Sequence, residues 1–222
     1  MSFRWWDRWG PLAGIVSVAL MVISFVVAGS SPDTQDDDAK IVSYYTQNSN
    51  QVKNLVALLI FAIGVLFMIA FFAALRERLV AAEGGFGRLG ALAFGAGVAS
   101  AVFWIVAVVL FVAPALAAND TTLFHLDPNT YRLEQDAGYA FWVAAVMTGA
   151  LVVWPTSAIA FRAPILPRWF AWVGVFVGII NLFALFFFPA FVYWAWIVIA
   201  SGLLTWRAGP VPAPAAGVST AR

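Results

Sequence analysis

No charged or histidine side chain lies within any of the five long apolar runs of this 222-residue chain, and the segments between the runs alternate between basic and acidic. The runs are Leu12–Gly29, Asn54–Leu75, Leu89–Ala118, Ala137–Phe161 and Trp169–Trp206. Hydrophobic residues make up 63% of the chain and charged residues 10%, against roughly 25% charged in an ordinary soluble domain. A water-soluble fold of this size could not hide that much apolar surface, so lipid is the remaining solvent. A span needs about 20 mostly apolar residues, which leaves room for six short spans and no separate soluble domain. The predicted fold is an all-α, polytopic transmembrane helical bundle forming one domain over residues 1–207.

The sixth span comes from the last run. Trp169–Trp206 as one helix would reach about 57 Å, nearly twice the ~30 Å hydrocarbon core. Pro189 lies near its middle, lacks a backbone donor and disfavours continuous helix. The predicted spans are therefore near 12–29, 54–75, 89–118, 137–161, 169–187 and 190–206, with the last two turning around Phe188-Pro189-Ala190. The N-terminus imitates a signal peptide, but its apolar run is longer than the usual 7–15 residue core and reads as a retained first span. Residues 208–222, with Pro210, Pro212 and Pro214, read as a disordered tail.

Cutting the chain at these spans sorts its charges by side. One side holds both termini and the loops 76–88 and 162–168, with nine basic against three acidic side chains. The other holds 30–53, 119–136 and the Pro189 turn, with three basic against eight acidic side chains. Lys and Arg stay cytoplasmic in short loops, so the expected orientation is N-in and C-in with acidic loops outside. Trp and Tyr favour the membrane interface. Trp5, Trp6, Trp9, Trp169, Trp172 and Trp206 suit an inner belt, and Tyr139, Trp142, Tyr193, Trp194 and Trp196 an outer one.

The outer segments carry helix signals. Asp36-Asp37-Asp38 suits the N-terminus of a short helix from Ala39, with Ile41, Tyr44 and Tyr45 on one face and an end near Asn48-Ser49-Asn50. Asp127-Pro128 is a second start signal, with Arg132 and Asp136 spaced to pair at i, i+4.

Several constellations are candidates for function. Gly174 and Gly178 form G-x-x-x-G, and Ala91, Gly95 and Ala99 run parallel to Ala93, Gly97 and Ala101. Small faces let helices approach closely in lipid, which suits packing within the bundle or a dimer seam. Pro155 beside Thr156 and Ser157 should kink its span, and a kink with hydroxyls can line a cavity. Asn181 is the most polar residue at depth, and Thr148, Ser100, Ser24 or Tyr193 could meet its amide, as structural glue or around a ligand. The eight external acids suit a solvated face; Asp33-x-x-Asp36-Asp37-Asp38 lacks the Gly and distal Glu of a calcium loop.

Other chemistry has little to stand on. There is no Asp or Glu at depth to serve as a proton or cation handle, no cysteine, and a single histidine, His125, in a loop. Bis-histidine haem ligation within one chain is excluded, and Ser157 and Ser201 have no base at their depth. Gly84-Gly85-Phe86-Gly87 is followed by Arg88 and cradles no phosphate. No catalytic residue, metal site or cofactor is expected, and no nucleic-acid signature is present.

A short acidic helix with Asp37, Ala39, Ile41, Tyr44, Tyr45 and Asn48 leads into span two, which exits at Leu75-Arg76. Span five opens Leu166-Pro167-Arg168-Trp169 and continues Trp172-Val173-Gly174; the last span ends Leu203-Leu204-Thr205-Trp206-Arg207. This pattern resembles a family of small bacterial six-helix integral membrane proteins of unknown function, over most of residues 10–207. The resemblance implies a bacterial inner membrane and carries over no catalytic residue; the long 119–136 loop departs from the family's shorter connection.

The expected function is that of a non-catalytic membrane protein, an accessory or partner-binding subunit. Its partners would be membrane lipids and a protein or second copy meeting the Gly/Ala faces. The alternative is a carrier or sensor holding a lipid-like or hydrophobic molecule within the bundle. A cavity of ~300 Å³ or more, reaching Asn181 or Pro155, would favour it.

Overall fold

A computed structural model describes residues 9–84, 86–121 and 123–207 of the chain. The sequence expectations for Arg4, Arg8, Trp5, Trp6 and the 208–222 tail fall outside these residues. About 84% of the chain is helical, and the described residues contain no strand. After a 3₁₀ turn at Gly10–Leu12 come α1 (Ala13–Ala28), α2 (Asp38–Thr46), α3 (Asn48–Glu83), α4 (Arg88–Asp120), α5 (Pro128–Arg162), α6 (Arg168–Asn181) and α7 (Phe188–Trp206). Five of the apolar helices are long enough to cross a membrane; α6, at 14 residues, is shorter.

The long helices form a closed ring in which each runs antiparallel to the one before it. Ser24 of α1 donates to the Ala57 carbonyl of α3 at 2.8 Å, and Ser100 of α4 to that of Ala145 in α5 at 2.7 Å. Trp154 of α5 reaches the Val175 carbonyl of α6 at 3.3 Å, and Phe170 of α6 stacks on Trp196 of α7. The ring closes where Ser201 of α7 donates to the Pro11 carbonyl and accepts from Ile15 N–H of α1. Small hydroxyls bonding to neighbouring backbones are a recurrent glue where lipid supplies no hydrophobic drive between helices.

Helix ends differ from the charge-marked boundaries. α3 begins at Asn48 rather than 54, and α5 begins at Pro128, where Asp127-Pro128 marked a start, well before its apolar run opens at 137. Charge marks where the solvent changes; the backbone ladder continues until a cap or turn stops it. The expected turn around Pro189 is also displaced. The break covers Leu182–Phe187, and Pro189 sits in the first turn of α7, where its missing N–H costs nothing.

Between α3 and α4, the Glu83 carboxylate accepts from Leu89 N–H and Gly90 N–H at 3.1 Å each. The orphan donors and positive dipole end of α4 are met by the chain's own acid, which leaves no anion site there.

Candidate functional site

The acidic end of the bundle is built by contacts between segments far apart in sequence. Asp127 caps α5 by accepting from Thr130 N–H and hydroxyl, both at 2.9 Å, as Asp127-Pro128 predicted. The first turns of α5 meet the 30–37 loop: the Tyr131 hydroxyl donates to the Pro32 carbonyl at 2.6 Å. Arg132 does not pair with Asp136. Its guanidinium instead reaches the Thr34 and Asp36 carbonyls at 2.9 and 3.1 Å and the Asp38 carboxylate at 2.7 Å. Helical spacing placed Asp136 within reach, but the 30–37 loop and the first residue of α2 together offer three oxygens in a fork that suits a guanidinium better.

α2 lies against this clamp, with Ile41 and Tyr45 buried and Tyr45 in ring contact with Tyr131 at 5.6 Å. Burial, then the neighbouring Tyr131, pushes the Tyr45 phenol above its ordinary range. α2 stops at Thr46 rather than near 48–50, because Gln47 turns extended. Its last carbonyls are then met from α3: Asn50 donates to Tyr44 O at 3.0 Å and Gln51 to Tyr45 O at 2.6 Å. These amides satisfy acceptors that a helix end leaves orphaned.

Beneath the clamp, α1, α3, α4 and α5 line a half-open cavity of about 280 Å³. Ser31, Asn54 and Gln135 give it polar groups near the acidic end, and Phe25, Phe61, Phe111, Val108 and Val112 give it apolar walls. Asn54 and Phe61 are seven residues apart, so the lining runs about 10 Å along α3. At its open side α1 ends in Gly29, at φ 69 and ψ −152, a backbone region essentially restricted to glycine.

The cavity's aromatic walls lead into a buried cluster. Phe25 lies 5.9 Å from Trp142 and 6.0 Å from Trp194, Phe61 6.5 Å from Trp104, and Phe111 6.4 Å from Trp142. Trp104 and Trp142 meet edge-on at 4.4 Å, and Trp194 sits 5.2 Å from Trp104. All three indole N–H groups are buried without a hydrogen-bond acceptor. Trp142, Tyr193, Trp194 and Trp196 are therefore core residues and not members of an outer belt. Their rings fill the ring of helices because α1, α4, α5 and α7 all present small or aromatic faces inward. Trp169, Trp172 and Trp206 are exposed.

The residues singled out from sequence scatter. Asn181, at the end of α6, is fully buried, and neither its amide nitrogen nor its oxygen has a partner among the described residues. Thr148 and Thr156 donate to the Ala144 and Val152 carbonyls of their own helix, and Ser24 and Ser100 to neighbouring backbones. None of them bonds Asn181. Pro155 is buried within the unbroken α5, and neither it nor Asn181 lines the 280 Å³ cavity. Gly174 and Gly178 face α5, where an added Cβ would strike Ser157 and Trp154 respectively. Gly97 likewise admits Phe72, whereas Gly95 is exposed with nothing near it and Ala99 is half-buried. Among the described residues no three His, Asp or Glu side chains converge.

Sequence reasoning missed the cavity and the Trp104, Trp142 and Trp194 cluster. Spacing along one helix carries no signal for a space shared by four. No family model, curated protein or solved structure matches the chain.

Proposed function

We propose that the protein is a non-catalytic integral membrane protein that holds an amphipathic, lipid-like molecule at its acidic end. In this reading the chain crosses a bacterial inner membrane six times, with both termini cytoplasmic and the acidic end outside. The sorted loop charges support that orientation. α6, about 21 Å long, is short for a sixth crossing, and the support for that crossing comes from the turn that follows it. The Tyr139 hydroxyl donates to the Leu185 carbonyl, which ties the 182–187 turn to α5 at a level about 35 Å from Arg162, one hydrocarbon thickness away.

The observation that carries the binding reading is the 280 Å³ cavity, apolar in depth and polar at its mouth. It lies just under the ~300 Å³ at which small-molecule clefts begin and reaches neither Asn181 nor Pro155, so it is not the deep cavity expected from sequence but a smaller one at the acidic end. Its occupant is a single chain or ring rather than a whole lipid. Native mass spectrometry from mild detergent tests this. The wild type should retain one amphipathic molecule per chain, and Ala57→Phe, which fills the cavity, should lose it at unchanged helicity. Equal retention by both would remove the cavity from consideration.

A second reading is the accessory or partner-binding subunit. It is favoured by the outward position of Ala91, Gly95 and Ala99 on α4, a small-residue face that no helix of this chain covers at Gly95. Gly95→Leu should then strip a co-purifying partner or second copy while leaving the bundle folded. Unchanged co-purification would retire it.

A further inference from the structure

A groove of about 690 Å³ adjoins the cavity and shares Ala28, Gly29 and Ser31 with it. The groove is polar: Lys40, Ser43, Tyr44, Gln47, Asn50 and Lys53 line it above the apolar end of α1. The chain has two lysines, and both are here, at the end of the bundle where acids dominate.

Lys53 sits at a defined depth. Between it and Arg76 lie the 22 uncharged residues 54–75 of α3, a rise of about 33 Å that matches the ~30 Å hydrocarbon core. Lys53 thus stands at the level where lipid phosphates begin, with its stem against the helix and its ammonium free to reach the headgroup region. The two lysines differ in availability. Lys40 pairs with Asp36 at 2.8 Å, whereas Lys53 is exposed and makes no ion pair among the described residues. Of the neighbouring acids, Asp36 is paired with Lys40 and Asp38 with Arg132, Asp33 accepts from the backbone N–H of Gln35, and Asp37 makes no ion pair among the described residues. None of the residues lining the groove is acidic, so an anion inside it faces the Lys53 ammonium directly.

We propose that the groove binds the phosphate of a phospholipid, with Lys53 as its main counter-charge and Lys40 as a second, while one acyl chain of the same molecule enters the cavity. This rests on the reading of the cavity as a chain-binding site and adds the headgroup that site selects. Lysine suits the role because it acts on a phosphate as a point charge without demanding a fixed fork geometry.

The test uses the full chain in mild detergent, delipidated and titrated by native mass spectrometry. Three probes separate the sources of binding: dioleoylphosphatidylglycerol, dioleoylglycerol with the same chains and no phosphate, and inorganic phosphate with no chains. The wild type should prefer the phospholipid over dioleoylglycerol at least tenfold. The Lys40→Gln/Lys53→Gln double variant should lower phospholipid binding to the dioleoylglycerol level and leave dioleoylglycerol unchanged. Lys53→Arg should keep the preference. Lys53 is exposed and Lys40 gives up only a surface pair with Asp36, so the helical bundle should survive, and circular dichroism checks it. Equal binding of the two lipids by wild type would overturn the headgroup proposal and leave the cavity reading standing. A preference that persists in the double variant would also overturn it. Displacement of the phospholipid by millimolar inorganic phosphate would assign the groove to a free anion instead. Absence of binding by both lipids would sink the cavity reading, and this proposal with it.

Discussion

Single residues at the acidic end carry distinct physical tasks. Gly29 holds a backbone conformation that costs other residues of order 1–3 kcal/mol. Gly29→Ala should lower the thermal midpoint in detergent although nothing lies near its added Cβ. Gly95→Ala, in regular helix and open space, should leave the midpoint equal or higher, since alanine is the better helix former. Two carboxylates give a pH dependence with a definite sign. The Asp36 carboxyl is held below its ordinary 3.8, first by its hydrogen bond with Lys40 and then by Asp33 N–H. The Asp127 carboxyl is held below 3.8, first by Thr130 N–H and then by the Thr130 hydroxyl. A depressed carboxyl stabilises the fold above its unfolded value and loses that effect as pH falls through its folded value. Amide exchange at residues 33–41 and 128–131 should therefore accelerate below about pH 3.8, while the α1 and α3 interiors stay protected.

At the scale of elements, α2 and the 30–37 loop are held to α5 by Tyr131 and Arg132. Tyr131→Phe removes one hydrogen bond, worth about 0.5–1.5 kcal/mol. Arg132→Gln removes a charge-assisted fork, so amide exchange across 30–46 should rise more in Arg132→Gln than in Tyr131→Phe. No change in either variant would mean that packing of Ile41 and Tyr45 alone holds α2. The elements themselves were largely legible. Hydropathy marked the apolar helices, Asp127-Pro128 marked the start of α5, and the Asp36–Tyr45 pattern marked α2. What was not legible depended on partners from other elements. Arg132 had Asp136 at helical spacing yet found the 30–37 loop, and Trp142 and Trp194 read as interfacial from composition yet turned inward. The Gly174/Gly178 pair signalled close approach but not which helix approaches, and the structure gives that place to α5.

For the molecule as a whole, the ring of antiparallel helices is packed with aromatic side chains on its acidic half and has a cavity at their edge, beside a groove with both lysines. No helix pattern announces such a space, because its walls come from four helices and its mouth from a loop. Three buried indole N–H groups without acceptors border it through Phe25, Phe61 and Phe111, and unpaired buried donors cost about 1–3 kcal/mol each. The most direct measurement is photocrosslinking in native membranes with a phospholipid bearing a diazirine near its acyl terminus, mapped by peptide mass spectrometry. Phe61, Val108 and Val112 are buried and line the cavity, so adducts on them require a chain inside it, and these adducts are the expected result. Adducts confined to outward-facing Leu59, Leu66, Phe176 and Phe186 would show lipid only around the protein and would contradict a chain-binding site.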